Sequence, residues 1–548
     1  MTTLTTPARP ASRAAGPRHL AGTGALLRLA LRRDRLMIPA WVLLLGLAVA
    51  STSSSFASLY DTAAQRAGLA ASMSANGSMR ALYGPVFSDS VGGLVAWRMG
   101  GLGAVLAAVM SLLIVVRHTR EEEETGRQEL LSAAMVGRRA PLTAALLAAL
   151  IANAGLAALI TAGLAGSGEP AAGSLALGVA VGGSGLLFAG LAAVAAQLTE
   201  SARLAKGLTG AAVGLAFVLR AAGDAGTADA SSPLTWVSPF GWAENLRPYA
   251  GERWWVALLF LAAAALAVGA AYALTARRDL GMSFLPARPG PARAPASLSG
   301  AVGLAWRLQR ATLLGWTAGF LAAGSVFGGI ADGAADMVGD NRRAREIFER
   351  MGGQQGLTDV FLATMTGMLG MVAVIYATGS VLRLRAEETG DRAEPVLAGA
   401  VSRLRWAGGH LAIAYLGTAV VLAFGGLALG VSYGATTGDI GGRTGPVLAA
   451  ALAQIPAVWT LTGLAVLVLG LLPKAAPAVW APVGACLAIG WIGPALEFPQ
   501  WAMNLSPFSH LPKLPGADAT ASPFLWLLAV SAATTAVGLA GLRRRDMG

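Results

Sequence analysis

Apolar residues come in runs of around twenty, separated by short polar or charged stretches, from one end of the chain to the other. The runs cover residues 37–56, 94–116, 141–166, 174–197, 207–222 and 254–276, then 311–330, 357–381, 407–431, 446–472, 475–496 and 524–542. A helix rises about 1.5 Å per residue, so runs of this length suit a hydrocarbon layer about 30 Å thick. The pattern predicts about twelve transmembrane helices, with the glycine-rich run at 207–222 the weakest signal among them. Strands of a β-barrel would be shorter and would alternate apolar and polar positions, which this chain does not do. The expected fold class is an all-α polytopic membrane protein.

The polar stretches are not uniform. Between the second and third runs, Arg117 to Arg139 reads RHTREEEETGRQELLSAAMVGRR, and charge that dense does not sit in hydrocarbon. Glu121 to Glu124 form an acidic block, Gly126 breaks the pattern, and Arg127 to Val136 return to an amphipathic rhythm. Leu130, Leu131, Ala134 and Met135 recur at helical spacing opposite Arg127, Gln128 and Ser132, which predicts a short helix lying across the membrane surface. The stretch then recurs at Arg385 to Arg405, RAEETGDRAEPVLAGAVSRLR. Glu387, Glu388, Thr389 and Gly390 repeat Glu123, Glu124, Thr125 and Gly126 at an offset of 264 (387 minus 123), while Arg392 and Glu394 follow Arg127 and Glu129 at 265 (392 minus 127). One inserted residue reconciles the two.

Three further landmarks repeat in the same order. A basic amphipathic segment at Leu26–Arg35 precedes the first run, and Arg32, Arg35 and Trp41 match Arg307, Arg310 and Trp316 at an offset of 275 (316 minus 41). Ser238-Pro239-Phe240 returns as Ser506-Pro507-Phe508, offset 268 (506 minus 238), and the exit Arg277-Arg278-Asp279 as Arg544-Arg545-Asp546, offset 267 (544 minus 277). Shared order and spacing predict an internal duplication. Each unit has six spans, an even number, so both copies are expected in the same orientation, as a parallel pseudo-dimer. The expected organisation is a disordered tail at 1–25, a six-helix half at 26–280, a Pro-, Ala- and Arg-rich linker at 281–300 and a second half at 301–548. In these halves the amphipathic helix occupies 26–36, and the charged segments about 120–137 and about 385–403.

Composition sharpens this. Charged residues make up 13% of the chain and mean hydropathy is +0.60, whereas a soluble chain would carry about twice that charged fraction. The formal charge of +12 is gathered in loops after even-numbered runs, so it reads as the positive-inside signature and not as a nucleic-acid footprint. That places both termini in the cytoplasm of a cell with this chain in its plasma membrane. The single cysteine, Cys486, excludes an intramolecular disulfide. No G-x-x-x-x-G-K-[ST] is present, and Lys206, Lys474 and Lys513 are the only lysines, so the chain is not expected to bind ATP or to be an enzyme. His19, His118, His410 and His510 share no ligand spacing, so neither a metal nor any other cofactor is expected. Glu200, Glu244 and Glu497 lie at span ends, and Arg220 and His410 lie close enough to an interface to snorkel. A carboxylate at membrane depth, the usual carrier of a coupling ion, is not evident.

The segment R-x-T-R-x-E-E-E-x-G-R-x-E-L-L and its copy E-E-T-G-D-R-A-E-P-V-L resemble those of the actinobacterial permeases called exporters of polyketide antibiotics, which include the tetronasin-type permeases within the type-2 ABC exporters. The resemblance covers the whole chain. It implies a permease that pairs with two copies of a separately encoded ATPase, which holds the ATP and Mg, and that extrudes bulky hydrophobic compounds. It also implies that Glu123, Glu124, Gly126, Arg127 and Glu129 lie on one ATPase-coupling helix and Glu387, Glu388, Gly390, Arg392 and Glu394 on the other, with Arg32, Arg35, Arg307 and Arg310 on connecting helices that touch the ATPase. The second copy departs in having Pro395 where the first has a leucine. A substrate path lined by small and apolar residues is expected to include Asn153, Tyr415, Gln454 and Trp459. The competing reading is an ion-coupled secondary multidrug transporter with twelve helices; a membrane enzyme acting on lipids is a third, for which only the loops at 231–255 and 497–523 are candidates.

Overall fold

A computed structural model describes residues 19–128, 136–278, 282–285, 292–293, 295, 300–331, 357–492 and 498–545. The chain divides into two compact units, Met1–Pro289 and Gly290–Gly548. It is an all-α polytopic membrane protein.

In the first unit, α1 (Thr23–Arg33) precedes the first spanning helix α2 (Met37–Leu59). The polar loop after it is not irregular: it folds into α3 (Ala63–Ala75) and α4 (Gly77–Tyr83). Thr62 and Gln65 cap α3 reciprocally, and the Asn76 side chain accepts from the Ser78 and Met79 amides at the start of α4. Then follow α5 (Val91–Arg117), the one-turn α6 (Arg120–Glu124), α7 (Ala140–Gly166), α8 (Ala171–Leu198) and α9 (Ala202–Gly226). Two short helices, α10 (Pro233–Val237) and α11 (Pro239–Asn245), lead to the last span, α12 (Ala257–Arg277). The glycine-rich fifth run, the weakest by sequence, is thus a complete helix of 25 residues.

Helix α8 is the axis of this unit and packs against α5, α7, α9 and α12. Its small residues make that possible. A Cβ on Gly178 would lie 2.6 Å from the Ala157 carbonyl of α7, so only glycine lets the two backbones meet there.

The second unit runs α13 (Ala301–Ala331), α14 (Leu357–Thr389), the one-turn α15 (Glu394–Leu397), α16 (Arg403–Thr437), α17 (Ile440–Leu452), α18 (Ile455–Leu471), α19 (Trp480–Ile492), α20 (Gln500–Met503) and α21 (Ala521–Arg544). Here the fourth span is interrupted. Ala453 and Gln454 separate α17 from α18, because Pro456 has no N–H to offer and its ring resists a continuous helix. The fifth run departs further from expectation. Pro473 to Val479 form a 3-10 turn, and α19 supplies only 13 described helical residues, with Pro477 and Pro482 each removing a donor from the expected span at 475–496. Eleven helices among the described residues are long and apolar enough to cross a membrane, against the twelve expected.

Helices α18 and α21 touch through glycine. A Cβ on Gly538 would stand 2.5 Å from the Val466 carbonyl, and one on Gly470 would collide with the Gly538 carbonyl. Gly470→Val is therefore expected to push the two helices apart at a cost of about 1–3 kcal/mol or more. A lowered melting temperature in detergent checks this; Gly269→Ala, where nothing lies within 4 Å, should melt close to the parent.

Candidate coupling site

Each unit carries a charge network around the segment between its second and third spans, and in the first unit that network starts at the acidic block. Its four glutamates reach three other elements. Glu121 pairs with Lys206 of α9 and Glu122 with Arg33 of α1. Glu123 accepts from Arg120 and, through both oxygens, from Arg278 at the end of α12 (2.5 and 2.9 Å). Glu124 Oε1 accepts from the Ala202 amide (2.8 Å), at the positive end of the α9 dipole. Arg278 also donates to Gln197 Oε1 (2.6 Å) and to the Met282 carbonyl (2.7 Å), while its own carbonyl accepts from Arg138 at the start of α7. Charges meant only for solvent would not be so placed: the Arg278 and Glu123 side chains are each 7% exposed.

The second unit repeats the arrangement. Arg385 donates to Glu388 (3.1 Å), Arg545 donates to Glu388 (2.5 Å), and Arg403 donates to the Arg545 carbonyl (2.5 Å). The three contacts match Arg120–Glu123, Arg278–Glu123 and Arg138–Arg278 in kind. Likewise Arg392–Glu387 (2.8 Å) matches Arg127–Glu122 (3.1 Å). The spatial equivalents are thus Glu122 with Glu387 and Glu123 with Glu388, an offset of 265 (388 minus 123) throughout, and not the 264 that the Glu-Glu-Thr-Gly letters imply. Backbone conformation agrees. Gly126 takes the left-handed φ of +69°, and the residue at that place in the second unit is Asp391 (φ +54°), not Gly390. The letter match is off by one because aspartate tolerates the left-handed turn that glycine favours.

A deeper ion pair precedes the block in the first unit, and among the described residues the second has no counterpart. Asp34, fully buried between α1 and α2, forms an ion pair with Arg117 (2.8 Å) and meets His118 Nε2 (2.6 Å). The residue 275 positions on (309 minus 34) is Gln309, which bonds His410 Nδ1 (2.9 Å). Arg383, lacking such an aspartate, turns to Glu387 (2.7 Å).

Chain breaks differ from the expected surface helices. In the first unit α6 ends at the Gly126 turn, and Glu129 with the apolar face Leu130, Leu131, Ala134 and Met135 lies outside the described residues. In the second, α14 runs unbroken through Glu387 and Glu388 to Thr389, and only then turns. Glu394 opens the short α15 and is exposed. Arg32 and Arg35 flank the break between α1 and α2, whereas Arg307 and Arg310 sit within the continuous α13; all four are exposed and make no ion pair among the described residues.

Residues 298–543 match the family described as "Multidrug efflux system permease Rv1217c, C-terminal domain". Over 543 residues the chain is 46% identical to the multidrug efflux system permease protein Rv1217c of Mycobacterium tuberculosis (strain ATCC 25618 / H37Rv), and the match covers 98% of each. The chain belongs to this multidrug efflux permease family.

Of the permease's expected path residues, Asn153 lies in the first unit and Tyr415, Gln454 and Trp459 in the second. Asn153 is buried between helices, donating to Ser111 Oγ and the Ala149 carbonyl (both 2.8 Å). Tyr415 bonds Thr535 (2.5 Å) and stands edge-on to Trp459, whose indole donates to the Tyr415 carbonyl (3.2 Å); these two tie α16, α18 and α21 together. Gln454, at the break between α17 and α18, lines a cavity. The permease also holds charges that sequence reasoning misjudged. Arg220 does not snorkel: it is fully buried in α9, donating to Glu244 (2.9 Å) and to the Ala81 and Leu82 carbonyls (3.0 and 3.1 Å), with Asp224 at 3.7 Å. The spacing of Arg220 and Asp224, four residues apart on one helix, was the available signal.

Proposed function

We propose that this permease is the membrane subunit of an ATP-driven exporter of hydrophobic drugs or antibiotics, of the polyketide-exporter group of type-2 ABC permeases, working with two copies of a separately encoded ATPase that binds ATP and Mg. The observation that carries the reading is the repeated clamp: in each unit one arginine at the exit of the last helix grips the charged segment and, through its carbonyl, the third span. A push delivered to the segment between the second and third spans would reach the end of the sixth through two contacts. Efflux by the Mycobacterium tuberculosis relative, as its name states it, supports the direction of transport. The exposed Arg32, Arg35, Arg307, Arg310 and Glu394, together with Arg127 and Arg392 whose guanidinium groups are half-exposed beside Glu122 and Glu387, are the charges offered to the ATPase, with the cytoplasmic side on the clamp end and both termini there. Gly126 shapes the turn in the first unit and Asp391, next to Gly390, the turn in the second, and Glu123, Glu124, Glu387 and Glu388 hold the segment rigid. Asn153, Tyr415 and Trp459 serve the path by packing its walls.

The quadruple variant Arg32→Ala, Arg35→Ala, Arg307→Ala, Arg310→Ala removes only exposed charges, so the fold should persist. Co-purified with its ATPase from membranes, it is expected to retain about tenfold less ATPase than the parent. Undiminished binding, or no ATPase bound by the parent, overturns the reading.

A second reading, an ion-coupled secondary transporter, draws support from the Arg220–Asp224–Glu244 cluster, where two buried carboxylates share one guanidinium. Transport abolished by an uncoupler while ATP is maintained would favour it.

A further inference from the structure

The second apolar run, 94–116, carries one charged residue, Arg98, and it is exposed. Arg98 stands on α5 seven positions past the first helical residue (98 minus 91), about 10 Å along the axis, and nineteen before Arg117 (117 minus 98), about 28 Å from the charged segment at the other end. A helix of 27 residues is about 40 Å long and overhangs a hydrocarbon layer about 30 Å thick, so Arg98 lies just inside the edge of that layer on the side remote from the clamp. One turn further in, on the same face, Leu102 is 49% exposed, so apolar surroundings begin directly beneath the guanidinium. A cation at this depth is costly without an anion in reach.

The protein around it does not supply one. The Arg98 guanidinium lies 4.1 Å over the Tyr83 ring and makes no ion pair among the described residues. Four positions on in the same loop, Phe87 carries a second guanidinium, that of Arg247 at 4.6 Å, again without an ion pair among the described residues; its Nε is buried with no partner, and its terminal nitrogen reaches the Asp229 carbonyl only at 3.5 Å. Carboxylates of this corner are engaged elsewhere: Glu169 accepts from the Gly92 amide (3.0 Å) and Glu244 from Arg220 (2.9 Å). Stacking on an aromatic face fixes the plane of a guanidinium and leaves its edge of N–H donors free. The Tyr83 platform is itself held, because its ring stands edge-on to Trp97 (centroids 5.2 Å apart), whose indole donates to the Gly84 carbonyl (2.9 Å). Tyr83 and Phe87 line one cavity of about 30 Å³, room for little more than a water, so a ligand must meet the arginines from outside and not from between the rings.

We propose that Arg98 and Arg247, mounted on the loop at 83–88, form a binding site for a phospholipid of the leaflet remote from the clamp, one whose headgroup carries a phosphate and no compensating ammonium. The Arg98 fork takes the phosphate, the acyl chains run down the α5 face past Leu102, and Arg247 adds a second positive charge that disfavours a zwitterionic head. The corresponding place in the second unit, at the offset of 265 (363 minus 98), is held by Ala363, which is 5% exposed, so that unit has no such cation there.

The test is isothermal titration of the full chain in neutral maltoside micelles with dioctanoyl phosphatidylglycerol, dioctanoyl phosphatidylcholine and inorganic phosphate, empty micelles being subtracted. The glycerol lipid is expected to bind at least about fivefold more tightly than the choline lipid, the effect of one arginine at an anionic surface. Inorganic phosphate, which brings no acyl chains, should give no saturable heat at millimolar concentration. Arg98→Gln should weaken the glycerol lipid about fivefold and remove the preference, whereas Arg98→Lys, a point charge without a fork, should keep part of it. Tyr83→Leu leaves the charge but takes away its platform and should cost about twofold to fivefold in affinity, while Tyr83→Phe should bind as the parent does. Arg98 is exposed and unpaired, so its variants should melt with the parent. Equal affinities for the two lipids, a preference that survives Arg98→Gln, or inorganic phosphate bound as tightly as the glycerol lipid overturns the proposal. Lipid binding needs no ATPase and does not follow from efflux, so this proposal and the functional one fail separately.

Discussion

Arg220→Met is expected to destabilise the first unit by about 3–5 kcal/mol, the largest single effect we anticipate, because it strands Glu244 and Asp224 without their shared cation. The Arg220 and Asp224 side chains are wholly buried and that of Glu244 is 8% exposed, so water cannot take the place of the guanidinium. The cluster also joins elements far apart in sequence. Arg220 reaches the α4 carbonyls, Arg80 of α4 donates back to the Asp224 carbonyl (2.9 Å), and Thr235 of α10 donates to Asp224 Oδ1 (2.7 Å). Burial pushes Glu244 well above the usual carboxylate range, and loss of the arginine would push it further. Neutralising the partners should therefore rescue: Arg220→Met with Asp224→Asn and Glu244→Gln is expected to recover most of the melting temperature lost by the single change. The exposed pair Arg443–Asp439, at 4.0 Å, is the contrast; Arg443→Met should shift the melt hardly at all. A triple variant that melts no higher than the single one would mean that packing, and not charge, holds this corner.

Breaking the clamp comes second, and its two copies should respond differently. Arg278→Ala removes both bonds to Glu123 and the bridges to Gln197 and Met282, so a loss of about 3–5 kcal/mol is expected, with coupled transport falling alongside it. Arg278→Lys keeps the charge yet cannot hold two carboxylate oxygens in a fork, and it should recover only part of the loss. Arg545 makes one bond to Glu388, so Arg545→Lys should come much closer to the parent. Melting temperature and ATPase stimulation by substrate, measured on the three variants and the parent side by side, check the order. Equal tolerance of lysine at both positions would show that the forked geometry of Arg278 is unimportant.

Much of the fold was legible because its signals are dense: apolar runs of around twenty residues, and landmarks repeated at nearly constant offset. What escaped was local. The prolines at 477 and 482 sat inside an apolar run that hydropathy alone reads as a span, although each denies the backbone a donor. The register of the duplicated segment was misread by one because letters were matched where the left-handed turn and the ion-pair partners decide equivalence, which sets Asp391 against Gly126. Charge at the site was legible as a cluster, but not its inward destination; nothing local in Glu123 announces Arg278, 155 positions away (278 minus 123). The cavity was beyond sequence reasoning except through Gln454, since it depends on where the helix breaks at Pro456.

The unequal fates of Ser238 and Ser506 bear on why two halves share one chain. In a transporter assembled from two identical subunits, any mutation that opened a cavity would open two, and any that sealed one would seal both. Joined in a single gene, the halves are released from that bond. The serine hydroxyl of one Ser-Pro-Phe turn is tied to a neighbouring helix, while that of the other has no hydrogen-bond partner among the described residues. Selection can thus alter the packing of the second half without disturbing the stability of the first.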